Sequence, residues 1–140
     1  MGYWVKINYE RGIYLIDLES ISAFSSEVDN KRITFWLANS SQPIILIPQN
    51  NLDAYKQVLE YIKKTTEKSS KGCWISISYD RKDFFIDLTR ITTFVWEPNS
   101  RLSFWLPDSS IHIVINPQTS GEVYQKISDF IQKTTGHSIP

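Results

Sequence analysis

Residues 2–27, GYWVKINYERGIYLIDLESISAFSSE, return at residues 72–97 as GCWISISYDRKDFFIDLTRITTFVWE. A shift of 70 positions pairs Gly2 with Gly72, Trp4 with Trp74, Ile7 with Ile77, Tyr9 with Tyr79 and Arg11 with Arg81. It also pairs Ile16-Asp17-Leu18 with Ile86-Asp87-Leu88, Ile21 with Ile91, Phe24 with Phe94 and Glu27 with Glu97. One residue is then lost, where Val28-Asp29-Asn30-Lys31 faces Pro98-Asn99-Ser100. Beyond it a shift of 69 pairs Arg32 with Arg101, Phe35-Trp36-Leu37 with Phe104-Trp105-Leu106, and Ser40-Ser41 with Ser109-Ser110. The same shift pairs Pro48-Gln49 with Pro117-Gln118, Tyr55 with Tyr124, Ile62 with Ile131, and Lys64-Thr65-Thr66 with Lys133-Thr134-Thr135. Agreement on this scale is a tandem duplication, and it governs every later inference about the fold. Repeat 1 spans residues 1–70 and repeat 2 residues 71–140.

Within a repeat, hydrophobic period two marks strands. Tyr3, Val5, Ile7 and Tyr9 alternate with Trp4, Lys6 and Asn8. Glu10-Arg11-Gly12 suits a hairpin turn. Ile13 to Leu18 reads as the second strand, with a bend near Asp17 and a continuation over Ile21 to Phe24. In the third strand Ile33, Phe35 and Leu37 point inward, and Arg32, Thr34 and Trp36 outward. Pro43 to Ile47 is the fourth, ended by Pro48. An amphipathic helix follows, capped by Asn50 or Asn51, with Leu52, Tyr55, Val58, Leu59 and Ile62 as its apolar stripe. Its counterpart carries Val123, Ile127, Phe130 and Ile131, starts at Thr119 or Ser120, and stops at Gly136. Glu67 to Gly72 reads as the linker.

The expected class is therefore α+β: tandem pseudo-symmetric ββββα repeats, with two antiparallel four-stranded sheets packed together and two helices. A 70-residue half buries too little surface to be comfortable alone, so residues 1–140 are expected to form a single domain with a shared core.

Composition removes several function classes. Fifteen basic residues balance fifteen acidic ones, so no long-range field draws in nucleic acid or anionic membrane. The one cysteine, Cys73, excludes an internal disulfide. Met1 to Tyr9 lacks the basic-then-apolar pattern of a signal peptide, and no apolar run approaches the ~20 residues of a membrane span. A cytoplasmic location without membrane partners is expected. His112, His137 and Cys73 are scattered, so no metal spacing is present, and no phosphate loop or nucleophile elbow occurs. No cofactor, metal or catalytic residue is expected.

Two further features remain. Asp17 and Asp87 sit inside apolar Ile-Asp-Leu triplets, where they either pair as an acid–base couple or hold backbone amides at a bend. The bend is the plainer reading. Trp4 shares a strand face with Lys6, Trp36 with Arg32, Trp74 with Ser76, and Trp105 with Arg101. An indole on a polar strand face with a nearby cation suits stacking of unpaired bases. The same faces equally suit packing against the other repeat or a second chain. Arg11 and Arg81 recur at the first turn as further candidates.

In the order of its elements the chain resembles the Whirly and Pur-alpha class of single-stranded nucleic-acid binders. The Lys-Gly-Lys-Ala-Ala-Leu signature of Whirly proteins has no counterpart here, so no residue role is carried over. The resemblance implies two curved four-stranded sheets crossed by helices, and single-stranded DNA or RNA as partner. The alternative is a protein-interaction or assembly module that uses the same aromatic faces on a protein partner or in self-association.

Overall fold

The computed structural model describes residues 2–27, 31–67, 74–97 and 101–138. The linker from Lys68 onward, Cys73 and the turns at 28–30 and 98–100 lie outside the described residues. Each repeat folds as a hairpin, a 3-10 turn, a three-stranded unit and a helix. In repeat 1 these are β1 (Trp4–Tyr9), β2 (Gly12–Asp17), a 3-10 turn (Leu18–Ser20), β3 (Ala23–Glu27), β4 (Arg32–Trp36), β5 (Pro43–Leu46) and α1 (Leu52–Glu67). Repeat 2 has β6 (Trp74–Tyr79), β7 (Lys82–Asp87), a 3-10 turn (Leu88–Arg90), β8 (Phe94–Trp96), β9 (Leu102–Trp105), β10 (His112–Ile115) and α2 (Gly121–Thr135).

The unit thus has five strands where the sequence pattern suggests four. The second strand is cut at the aspartate, and the carboxylate explains the cut. Asp17 Oδ1 accepts from the Glu19 amide at 3.0 Å and from the Tyr3 amide at 2.9 Å. Asp87 Oδ1 accepts from the Thr89 amide at 3.0 Å and the Thr89 hydroxyl at 2.6 Å. An aspartate that satisfies the first amides of a 3-10 turn stops the strand and redirects the chain. Gly2 belongs to the same device, since a Cβ there would lie 2.6 Å from an Asp17 carboxylate oxygen. In the hairpins Glu10-Arg11 and Asp80-Arg81 form the turns, with positive φ at Glu10, Asp80 and Arg81. Gly12 is not part of the turn but opens β2 opposite Tyr9.

Among the described residues the strands form three sheets in place of two four-stranded ones: β1-β2, β5-β4-β3-β7-β6, and β10-β9-β8. The middle sheet joins the repeats, because β3 pairs antiparallel with β7, Phe24 opposite Phe85. Side chains of this sheet alternate between two core clusters. Phe24, Ile33, Phe35, Ile44 and Leu46 face the first, with Val5, Ile7, Val58 and Ile62 from β1 and α1. Ala23, Ile75, Ile77, Phe84 and Ile86 face the second, with Leu102, Phe104, Ile113, Ile127 and Ile131. Among the described residues the buried side chains form two clusters, one on each face of a common sheet, and each draws on both repeats: Ala23 and Trp36 reach the second, Trp74 and Phe85 the first. Tertiary packing also moves Leu52 out of the helix stripe, to 49% exposure, and brings in Ala54. Gly136 ends α2 in the left-handed region at φ 78°, its amide on the Gln132 carbonyl. Ser120 occupies the N-cap position of α2 without a side-chain cap bond.

The seam between repeats is directional. Besides the β3–β7 ladder, the Asp87 amide donates to the Ser22 carbonyl at 3.0 Å, and the Arg90 guanidinium donates to the Glu19 and Ser20 carbonyls. A two-fold relation between repeats would also pair β8 with β2. Among the described residues β2 pairs only with β1, and β8 only with β9. The repeats therefore stack head to tail instead of facing each other across a dyad.

Candidate nucleic-acid interface

The four tryptophans singled out by the repeat divide by location, not by repeat position. Trp74 is half-buried against the first core, with its ring 6.0 Å from Phe24. Trp36 is half-buried against the second core, on the face of β4 opposite Ile33 and Phe35. Both are packed by the head-to-tail seam, so their outward face in one repeat is an inward face in the whole molecule. Trp4 and Trp105, their respective equivalents, are 66% and 45% exposed.

Trp105 lies at the end of β9, directly opposite His112 of β10. The two rings stack at 4.4 Å between centroids with planes 12° apart. Alternation puts Ser103 and Arg101 on the same side of β9 as Trp105, while Leu102 and Phe104 fill the core. Val95 and Val114 flank Ser103 on the neighbouring strands. The result is an exposed stacked pair of flat rings on a strand face, one side of the indole taken by imidazole. His112 was not among the candidates read from sequence. Its signal was the hairpin register, since a four-residue β9 and β10 joined by a short turn place it across from Trp105.

Trp4 lies on a different kind of surface. It shares the outer face of the β1-β2 hairpin with Lys6 and Asn8, and with Ile13 and Leu15 from β2, each 67% exposed. A shallow groove beside it is lined by Trp4, Tyr14, Leu15, Asp17 and Leu37. This face is mostly apolar, and sequence reading missed it because Ile13 and Leu15 look like ordinary strand residues until the free edge of β2 is known.

The cations are mostly engaged. Arg32 Nε is 3.1 Å from Glu27, and Arg101 Nη2 is 3.7 Å from Glu97, the same ion pair in both repeats. Lys6, Arg11 and Arg81 are exposed, the last two at the hairpin turns. Asp17 and Asp87 each serve their own 3-10 turn, and Asp87 is also 3.4 Å from Arg90 Nε. Among the described residues no group of three His, Cys, Asp or Glu side chains is arranged to hold a metal. No helix among them is long and apolar enough to cross a membrane.

No family model and no curated protein matches the chain. Among solved structures it is similar to the LytTr DNA-binding domain of a protein described as a methyl-accepting/DNA response regulator from Bacillus cereus. The TM-score is 0.51 at 10% identity, covering 89% of this chain and 94% of that one. At this identity the likeness is one of fold. The likeness is to the fold of a DNA-binding domain and does not single out the Whirly and Pur-alpha arrangement.

Proposed function

We propose that this chain is a non-enzymatic nucleic-acid-binding module that takes an unpaired base of DNA or RNA on the exposed face of Trp105. The observation that carries the reading is the Trp105–His112 stack, a flat aromatic platform open to solvent. A base added to such a pair sheds water from its ring face and keeps its polar edges free, which makes the contact tolerant of base identity. The fold adds support, since its structural neighbour is named a DNA-binding domain. With no net charge and Arg32 and Arg101 beside carboxylates, phosphate contacts are few, and affinity depends more on stacking than on counterion release.

The test is a titration of fluorophore-labelled single-stranded oligonucleotide at low salt, followed by anisotropy and by tryptophan quenching. Binding is expected with a shallow salt slope of about 2–3 phosphates. Trp105→Ala weakens it by about 1–3 kcal/mol, while Trp36→Phe and Trp74→Phe leave it unchanged. Duplex of the same sequence competes poorly. Preference for duplex with no effect of Trp105→Ala contradicts the stacking platform. Absence of binding to either form contradicts the whole reading.

A further inference from the structure

The seam inside the chain is a template with unused copies of both its halves. At the seam the free edge of β7 lies on β3, and Trp74 completes an aromatic cluster around Phe24, which also meets Phe35 and Tyr61. The repeat carries the same cluster in its second half, where Phe94 meets Phe104 and Phe130. The fourth place, held by Trp74 in the first cluster, has no ring among the described residues. The equivalent of Trp74 is Trp4, which is 66% exposed on the β1-β2 hairpin.

The matching extends along the strands. Phe24 is buried to 1%, but Phe94 is only half-buried; Ser22 and Ala23 are buried, but Thr92 and Thr93 are exposed. On the other half, Phe85 packs on the first core, but its equivalent Leu15 is 67% exposed. The register of the seam, Phe24 opposite Phe85 and Ser26 opposite Asp83, translates to Phe94 opposite Leu15 and Trp96 opposite Ile13. The polar Ser26–Asp83 pair thereby becomes an apolar pair, Trp96 with Ile13, which accounts for an isoleucine left in solvent on an edge strand. An uncovered apolar edge of this kind invites strand pairing.

We propose that the β2 edge of one molecule binds the β8 edge of a second copy of this chain, head to tail, with Trp4 filling the place beside Phe94. Each molecule keeps one edge of each kind, so the contact is heterologous and propagates to rings or open chains instead of closing as a dimer. One part of the template is missing: Ser20 stands where Arg90 clamps the seam, so the contact between copies is weaker than the seam within one. By the same template Trp105, the equivalent of Trp36, is covered in this contact, so pairing with a second copy and base stacking on Trp105 compete for one face.

The experiment is light scattering after size exclusion on the full chain, from micromolar to millimolar concentration. The average mass is expected to rise with concentration. Leu15→Arg spoils the β2 edge and Thr93→Arg the β8 edge, both at exposed positions, so circular dichroism remains that of the parent. Each variant alone is expected to stay monomeric. Mixed in equal amounts they form a dimer and nothing larger, because only one good edge of each kind remains in the mixture. A parent that stays monomeric throughout overturns the proposal. Association that survives Leu15→Arg, or two monomeric variants that fail to pair when mixed, overturns it as well.

Discussion

Phe24 and Phe94 occupy the same place in their repeats, yet one is sealed in a core and the other is half open. Around Phe24, rings from β4, α1 and the following repeat close on all sides. Around Phe94, the ring contacts among the described residues come from β9 and α2. The repeat therefore encodes a core with one side missing, which the next unit in line supplies. Repeat 1 has such a neighbour in β7 and Trp74, and among the described residues repeat 2 has none on β8. Divergence at the exposed positions follows from this: Ser22-Ala23 against Thr92-Thr93, and Asp83 and Phe85 against Ile13 and Leu15.

The largest test of that contrast is truncation of the two phenylalanines. Phe24→Ala is expected to cost about 3–5 kcal/mol in urea unfolding, as for a fully enclosed ring. Phe94→Ala is expected to cost distinctly less, because its open side already meets water. Equal losses contradict the contrast.

Trp74 and Trp4 come next. Trp74→Ala removes a ring from the first core and is expected to cost about 2 kcal/mol, from the area it buries. Trp4→Ala in dilute protein is expected to shift stability by less than about 0.5 kcal/mol, as at ordinary surface sites. The readout is the denaturation midpoint at constant slope.

A smaller effect is expected at the clamp. Arg90→Ala removes the guanidinium that reaches the Glu19 and Ser20 carbonyls and lies near Asp87. The loss is about 1 kcal/mol, the usual net worth of such hydrogen bonds, and Ser20→Ala costs less. Thermal unfolding of the two variants side by side checks the order.

The smallest effect distinguishes the helices. Tyr61 of α1 is matched by Phe130 of α2, so only the first core holds a phenol there. Burial pushes the Tyr61 phenol above its ordinary value of 10.0, because the phenolate loses its water; the Thr65 hydrogen bond opposes this. The neutral form is favoured by folding, so its stabilisation is complete below pH about 10 and is lost as pH rises through the higher folded value. Tyr61→Phe is expected to flatten the alkaline decline in melting temperature; an unchanged decline assigns it elsewhere.

How far the sequence reached is visible at these same residues. Alternation in residues 3–9 and, Leu52 apart, the helix stripes assigned faces correctly, because a side chain's face depends mainly on local period. The break at Asp17 was legible as a bend, but its consequence was not. Whether β3 joins β4 alone or also crosses to β7 depends on which edge is left free after the chain turns, and period two carries no information about edges. For that reason the residue pairs Trp4/Trp74 and Trp36/Trp105 looked alike in sequence and separate in space. Arg32 and Arg101 stand out in sequence as cations beside an indole, although Glu27 and Glu97 recur at the spacing that a short hairpin brings together. His112 was legible only through the β9-β10 register.

Hydrogen exchange at two equivalent amides tests the head-to-tail account most directly. The Asp87 amide donates to Ser22, so by alternation the Phe85 amide points at Phe24, and the Leu15 amide points along the free edge of β2. In protein kept dilute enough to be monomeric by light scattering, Phe85 is expected to exchange only through large-scale opening. Leu15 is expected to exchange orders of magnitude faster, near the rate of an unpaired edge. Similar protection of both amides in the dilute monomer contradicts the head-to-tail stacking, since it requires β2 to be covered within one chain.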